Sequence, residues 1–154
     1  MYSGKGFTLI ELLMALLILA ILVSIGLPSF RSLILDNRLT SSTNTLVGAM
    51  QMARSEAVTL RDAIKICPTN AGGTACNAST NWSSGTLMVR GTTVLRVIPS
   101  SNTGVTVTSS RNEITYNANG TATSATISVS DTRPSSKQIK VNTLGQACSG
   151  SGCS

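Results

Sequence analysis

Between Phe7 and Leu27 the only polar side chains are Thr8, Glu11 and Ser24. An apolar stretch of that length reaches across a bilayer as a helix, which needs about 20 residues. One carboxylate stands near its start. An ionised group in hydrocarbon has to be paired, neutralised or drawn to the interface, so it marks a functional site. The nearest cation the chain can supply is an amino terminus made by cutting after Gly6. Two plainer readings compete. A conventional secretory signal would use Lys5 as its positive region and Ser24-Ile25-Gly26 as its cleavage site. Its apolar core, however, would be shorter than this one and would carry no acid. A simple membrane anchor would leave Glu11 incidental.

The octet Gly6-Phe7-Thr8-Leu9-Ile10-Glu11-Leu12-Leu13 resembles the prepilin signature of type IV pilins and type II secretion pseudopilins. The resemblance implies that a leader, residues 1–6, is removed by a prepilin peptidase between Gly6 and Phe7. It also implies N-methylation of Phe7 and a role for Glu11 in assembly. Residues 7–28 then form a transmembrane helix, residues 29–60 its periplasmic continuation, and residues 61–154 a periplasmic β-rich domain.

Beyond Pro28 the apolar positions Phe30, Leu33, Ile34, Leu46, Met50, Ala53 and Ala57 recur at helical spacing. Pro28 lacks a backbone donor and is expected to kink or loosen the helix. The face bearing Leu46, Met50, Ala53 and Ala57 is expected to pack on the globular part. Arg54-Ser55-Glu56 reads as a solvated face with a local ion pair. The remainder is strand and turn. Strands are expected over Thr86–Arg90 and Thr93–Ile98, joined by a tight turn at Gly91-Thr92. Others are expected over 104–108, 113–116, 125–130 and 137–141, with a turn at Asn119-Gly120. Alternation of apolar residues with Thr or Ser gives sheets one buried face. The fold class is therefore α+β, a long helix packed on antiparallel sheet.

Two further segments carry a finer resemblance. Ala53-Arg54-Ser55-Glu56-Ala57, followed by Ile64-Lys65-Ile66-Cys67-Pro68, is similar to H-type pseudopilins and FimT/FimU-like minor pilins. So is Trp82-Ser83-Ser84-Gly85 with the strand after it. The last fifty or so residues match that branch only in general character.

Composition limits the chemistry. Among 154 residues there is no histidine, which rules out imidazole-based metal sites and catalytic dyads. Asp36, Glu56, Asp62, Glu113 and Asp131 show no catalytic spacing, and no phosphate-binding glycine loop precedes a helix. No enzymatic activity and no cofactor are expected. The four cysteines, Cys67, Cys76, Cys148 and Cys153, suggest disulfides in an oxidising compartment. Three pairings exist. The two local bridges, Cys67–Cys76 and Cys148–Cys153, are favoured because each closes a small, flexible loop, and the rival joins the C-terminal tail to the Cys67 region. Charge bias across the apolar run is nearly silent on orientation, since Lys5 lies on one side and Arg31 and Arg38 on the other.

The resemblance names the partners: other pilins through the N-terminal helix, the prepilin peptidase, an inner-membrane assembly platform and membrane lipid. It implies a structural subunit that helps initiate or cap a filament, for secretion or for pilus biogenesis. The alternative is a DNA-binding minor pilin for natural transformation. Some FimT-like subunits use a C-terminal Gly-Arg-x-Arg motif for this, but the chain has Gly145-Gln146-Ala147-Cys148 there. Arg133, Lys137 and Lys140 would have to supply a substitute patch, and phosphate binding gains from several cations acting together.

Overall fold

A computed structural model describes residues 6–70, 72–101 and 103–150; within the helix, the side chains of residues 25 and 27–29 lie outside the description. One helix, α1 (Leu9–Leu60), precedes β1 (Ile64–Pro68), β2 (Thr86–Arg90), β3 (Thr93–Ile98), β4 (Thr106–Ser109), β5 (Ile114–Tyr116), β6 (Ala125–Ser130), β7 (Ser136–Val141) and β8 (Ala147–Ser149). The chain forms two compact units, Met1–Asp36 and Asn37–Ser154.

In the first unit the helix from Leu9 to Val23 is apolar apart from Glu11, and its side chains are exposed, with Leu9, Ile10, Leu12, Leu13, Met14 and Leu16 all more than half so. Helical backbone runs unbroken through residue 28, although proline there supplies no N–H.

The second unit is built on the other end of α1. Here Leu46, Met50, Ala53 and Ala57 are buried, and Leu39 and Ala49 extend that face. Small residues at 53 and 57 let the helix axis approach the sheet closely. The helix ends where Arg61 takes a left-handed conformation, φ 51°, and Asp62 N–H donates to the Ala57 carbonyl at 3.2 Å. This is the Schellman arrangement, with arginine where glycine is usual.

Two antiparallel four-stranded sheets follow, ordered β3-β2-β1-β5 and β4-β6-β7-β8. β6 alternates strictly between buried and half-buried residues, as a sheet with one core face requires. The core against α1 draws on both sheets: Ile64, Ile66, Met88 and Ile114 from the first, Val107, Ile127, Val129 and Ile139 from the second, with Trp82 and Tyr116 as its largest members. The opposite face of β1 and β2 carries a smaller cluster, Cys67 from β1 with Leu87 and Val89 from β2. Side chains of the sheet and its loops also tie to the helix: Arg38 Nη1 donates to the Thr103 carbonyl at 3.0 Å, and Lys137 Nζ to Thr40 Oγ1 at 3.0 Å.

Candidate functional site

Gly6, Phe7 and Thr8 precede the helix, so the Gly6–Phe7 peptide lies in non-helical backbone, and Phe7 is 76% exposed. Thr8 is the N-cap: its Oγ1 accepts from Glu11 N–H at 3.3 Å, while its carbonyl accepts the first helical bond, from Leu12 N–H at 3.2 Å. Thr-x-x-Glu is the spacing of a capping box, and an acid in the first turn also complements the helix dipole. The role of Thr8 was legible in the sequence through that spacing, yet the dominance of the apolar run conceals it. Glu11 itself is exposed, on a helix whose neighbours are almost all apolar. So large a solvated apolar surface calls for a cover, either lipid or protein. Among the described residues, no helix is long and apolar enough to cross a membrane.

The second concentration of polar chemistry lies where α1 meets two turns. Arg54 is half-buried, and its Nε donates to the Gly120 carbonyl at 3.1 Å. The expected solvated ion pair is thus replaced, for Arg54, by a bond into the Asn117–Thr121 turn. That turn sits against a second one, because a side chain on Gly145 would collide with the Gly120 carbonyl. Asn142 and Gln146 close the second turn through three hydrogen bonds: Asn142 N–H to the Gln146 carbonyl, Gln146 N–H to Asn142 Oδ1, and Asn142 Nδ2 to Gln146 Oε1. An open groove here is lined by Gln51, Arg54, Asn119, Asn142 and Gln146.

Arg54 also acts on Tyr116. Burial pushes the Tyr116 phenol well above its ordinary range, and the Arg54 charge offsets this in part. Its hydroxyl has no hydrogen-bond partner among the described residues. A folded pKa above the unfolded value of about 10 means that this group's contribution to stability is complete below pH ~10 and is lost as pH rises above it. Melting temperature should therefore fall above pH ~10 with a component that Tyr116→Phe removes. At neutral pH the same substitution should leave stability equal or higher, because it deletes an unpaired buried hydroxyl. Thermal melts across the alkaline range decide this, and a marked loss of stability for Tyr116→Phe at neutral pH would refute it.

The cysteines are oxidised where they are described. Cys67 and Cys76 form a disulfide with Cα atoms 5.5 Å apart. The loop they close is organised by Asn70, whose Oδ1 accepts from Thr74 N–H at 3.0 Å and whose N–H donates to the Ala75 carbonyl at 2.9 Å. Cys148 is disulfide-bonded too, in β8 opposite Lys140; Cys153 lies outside the described residues. β8 itself was not expected from the sequence.

The basic residues are held separately. Arg133 grips Asp131 with Nη2–Oδ2 at 2.7 Å, and this hydrogen bond holds the Asp131 carboxyl below its usual range. Lys137 reaches Thr40, as described above. Lys137 and Lys140 stand on opposite faces of β7, as their odd separation requires. The acids Asp62 and Glu113 are likewise apart in their partners, Asp62 beside Arg90 at 3.9 Å and Glu113 with Lys65 at 3.2 Å.

A long helix with an apolar, solvated first part, whose latter part is laid on antiparallel sheet, defines the type IV pilin-like class. Residues 42–145 match the family model for type II transport protein GspH, and residues 1–27 match the prokaryotic N-terminal methylation motif. The chain belongs to the GspH family and is a GspH/FimU-like minor pilin. Its fold is similar to that of the type IV minor pilin FimU of Pseudomonas aeruginosa, with a TM-score of 0.61 and 22% identity over 73% of this chain and 88% of that one. The minor pseudopilin EpsH from the type 2 secretion system of Vibrio cholerae shares the fold at a TM-score of 0.54 and 8% identity, over 73% of this chain and 95% of that one. Comparison with curated proteins gives no match.

Proposed function

We propose that the protein is a structural, non-enzymatic subunit of a short periplasmic filament, which it helps to initiate or cap. The observation that carries this reading is the methylation motif at the head of a helix whose apolar side chains are exposed in the single chain. A prepilin peptidase cuts between Gly6 and Phe7, and the Phe7 amine is methylated. Residues 7–28 hold the subunit in the inner membrane, with lipid around them, until the assembly platform extracts it. The same apolar surface then packs against the helices of other pilins, and the Asn37–Ser154 unit stays on the periplasmic side, where Cys67 and Cys76 oxidise. The filament serves protein secretion or pilus biogenesis.

Intact-mass measurement of protein purified from membranes tests the first step. The expected mass is that of a chain beginning at Phe7 and carrying one added methyl group. A mature chain beginning at Leu27 would mean an ordinary secretory signal and would overturn the proposal.

A further inference from the structure

The turn between β7 and β8, residues 142–146, borders two grooves of the Asn37–Ser154 unit, and Asn142, Gln146 and Cys148 line both. The first groove also holds Arg54, and the second holds Arg111 and Lys140. Among the described residues no acid lines either one. On the turn itself stands Leu144, 63% exposed.

The two arginines are held alike. Arg54 Nε donates to the Gly120 carbonyl at 3.1 Å, and Arg111 Nε donates to the Ser124 carbonyl at 2.8 Å. Each acceptor residue lines the same groove as its arginine. Among the described residues these are the only hydrogen bonds that the two guanidinium groups make, so their Nη donors are left over. For Arg54 two glycines make the room. A Cβ on Gly145 would stand 3.2 Å from Nε, and one on Gly120 would stand 3.8 Å from Nη2. The guanidinium thus lies beside both glycines, and both line the groove.

The turn is fixed as well. Gly145 N–H donates to the Asn142 carbonyl at 3.0 Å and Ala122 N–H to the Thr143 carbonyl at 3.1 Å, beside the Asn142–Gln146 bonds. A guanidinium anchored through Nε offers its remaining N–H groups as a planar fork, which fits a carboxylate. An exposed leucine with cations in both bordering grooves has the make-up of a small interface, an apolar centre with a polar rim. Nucleic acid fits less well. Neither lining contains an aromatic ring on which a base would stack, and a phosphate track gains from cations in succession.

Magnitude selects the occupant. An exposed ion pair strengthens binding only about two- to fivefold. Two such pairs and one leucine are too little to hold a freely diffusing protein. They suffice for a partner tethered alongside, whose effective concentration is in the millimolar range. Resting on the filament reading above, we propose that the 142–146 turn docks an acidic segment of a neighbouring filament subunit. Two carboxylates of that segment meet the forks of Arg54 and Arg111, and an apolar side chain between them packs on Leu144.

Full-length ¹⁵N-labelled protein in detergent micelles is titrated with a peptide that carries a leucine between two aspartates, and with its diasparagine counterpart. The backbone amides of residues 142–146 should shift saturably with the first peptide, half-maximally at roughly millimolar concentration, and not with the second. Arg54→Gln, Arg111→Gln and Leu144→Ser should each weaken binding about two- to fivefold. Arg111 and Leu144 are exposed, so their variants keep the test decisive if loss of the Gly120 bond unfolds Arg54→Gln. In filament fractions, carbodiimide joins carboxylates to lysine amines already in contact. Wild-type protein should couple through Lys140, in the second groove, to an acid of another subunit, and Leu144→Ser several-fold less.

An equal response to the diasparagine peptide, no response to either, or unaltered binding in all three variants would overturn the acidic docking site. A duplex oligonucleotide that shifts the same amides at lower concentration would make this a nucleic-acid surface instead. Filaments that contain the protein yet show no coupling at Lys140 would remove the neighbouring subunit as partner. Absence of the protein from filaments would overturn the filament reading and the partner with it, while the micelle titration would still decide whether this surface takes an acid.

Discussion

Gly85→Ala is expected to destabilise the folded unit by about 3 kcal/mol or more, summing left-handed strain with an unrelieved clash. Gly85 has φ +111°, and a Cβ there would stand 2.9 Å from the Ile98 carbonyl oxygen and 3.1 Å from Ser100 N. Both obstacles are backbone, so no rotamer change relieves them. The approach is close because Gly85 is where the chain turns from Trp82 into β2. Its N–H donates to the Trp82 carbonyl at 3.2 Å, its own carbonyl accepts from Thr69 N–H at 3.0 Å, and the next residue, Thr86, pairs with Ile98. This is the physical content of Trp-x-x-Gly: the tryptophan fills the core, and the glycine lets β2 start beside the end of β3. Melting temperature should fall by roughly 10–20 °C for a unit of this size. Gly91→Ala is the control, since Gly91 also has positive φ but an added Cβ there meets nothing within 4 Å. It should cost about 1 kcal/mol. Equal, small losses in the two variants would show that the close approach at Gly85 is absent.

That motif shows how far the sequence could be read. The strands expected at Thr86–Arg90, Thr93–Ile98 and 125–130 occur with those bounds, because Gly85, Gly91-Thr92, Pro99 and Asp131 punctuate the chain there. The helix face of Leu46, Met50, Ala53 and Ala57 was equally plain, being set by period alone. The fourth strand was expected from residue 104 but begins at Thr106, since Gly104 takes φ +84° and Val105 instead accepts from Ser101 Oγ. β8 is not legible: Ala147-Cys148-Ser149 is too short to show a period, although its hairpin with β7 is local, Val141 pairing with Ala147 across the 142–146 turn. The division of the strands between two sheets is hidden for a different reason, because β1 finds β5 far along the chain. Arg54 reads as solvated in the sequence because its partner, Gly120, is 66 residues away. In the candidate site, then, the Cys67–Cys76 bridge and the turn at Asn119-Gly120 were legible in the sequence. What depends on which distant turn meets the helix was not.

Glu11→Ala is expected to carry the largest functional effect, a loss of filament incorporation with no loss of folding. The Asn37–Ser154 unit contains the buried core, and Glu11 lies outside it on an exposed part of α1. The helix start should also survive, since the bond to Thr8 Oγ1 comes from the Glu11 backbone N–H and not from its carboxylate. What disappears is one negative charge within an apolar surface. In the proposed filament that charge meets the Phe7 amine of a neighbouring subunit. Removing one member of a desolvated pair leaves the other buried and unpaired, at a cost of about 3 kcal/mol or more, which is roughly 100-fold in association. Glu11→Gln is the stricter variant, because it keeps size and hydrogen-bonding capacity while deleting charge; it should fail nearly as badly if charge is what matters. Cross-linking of filament fractions, read beside thermal melts of the same proteins, separates assembly from stability. Normal incorporation of Glu11→Ala would remove the carboxylate from the assembly step. Cleavage between Gly6 and Phe7 must be checked in each variant, because an uncut chain has no amine at Phe7. An assembly defect in correctly cut, fully folded Glu11→Gln is therefore the outcome that assigns the effect to the pairing of two charges inside the apolar helix surface.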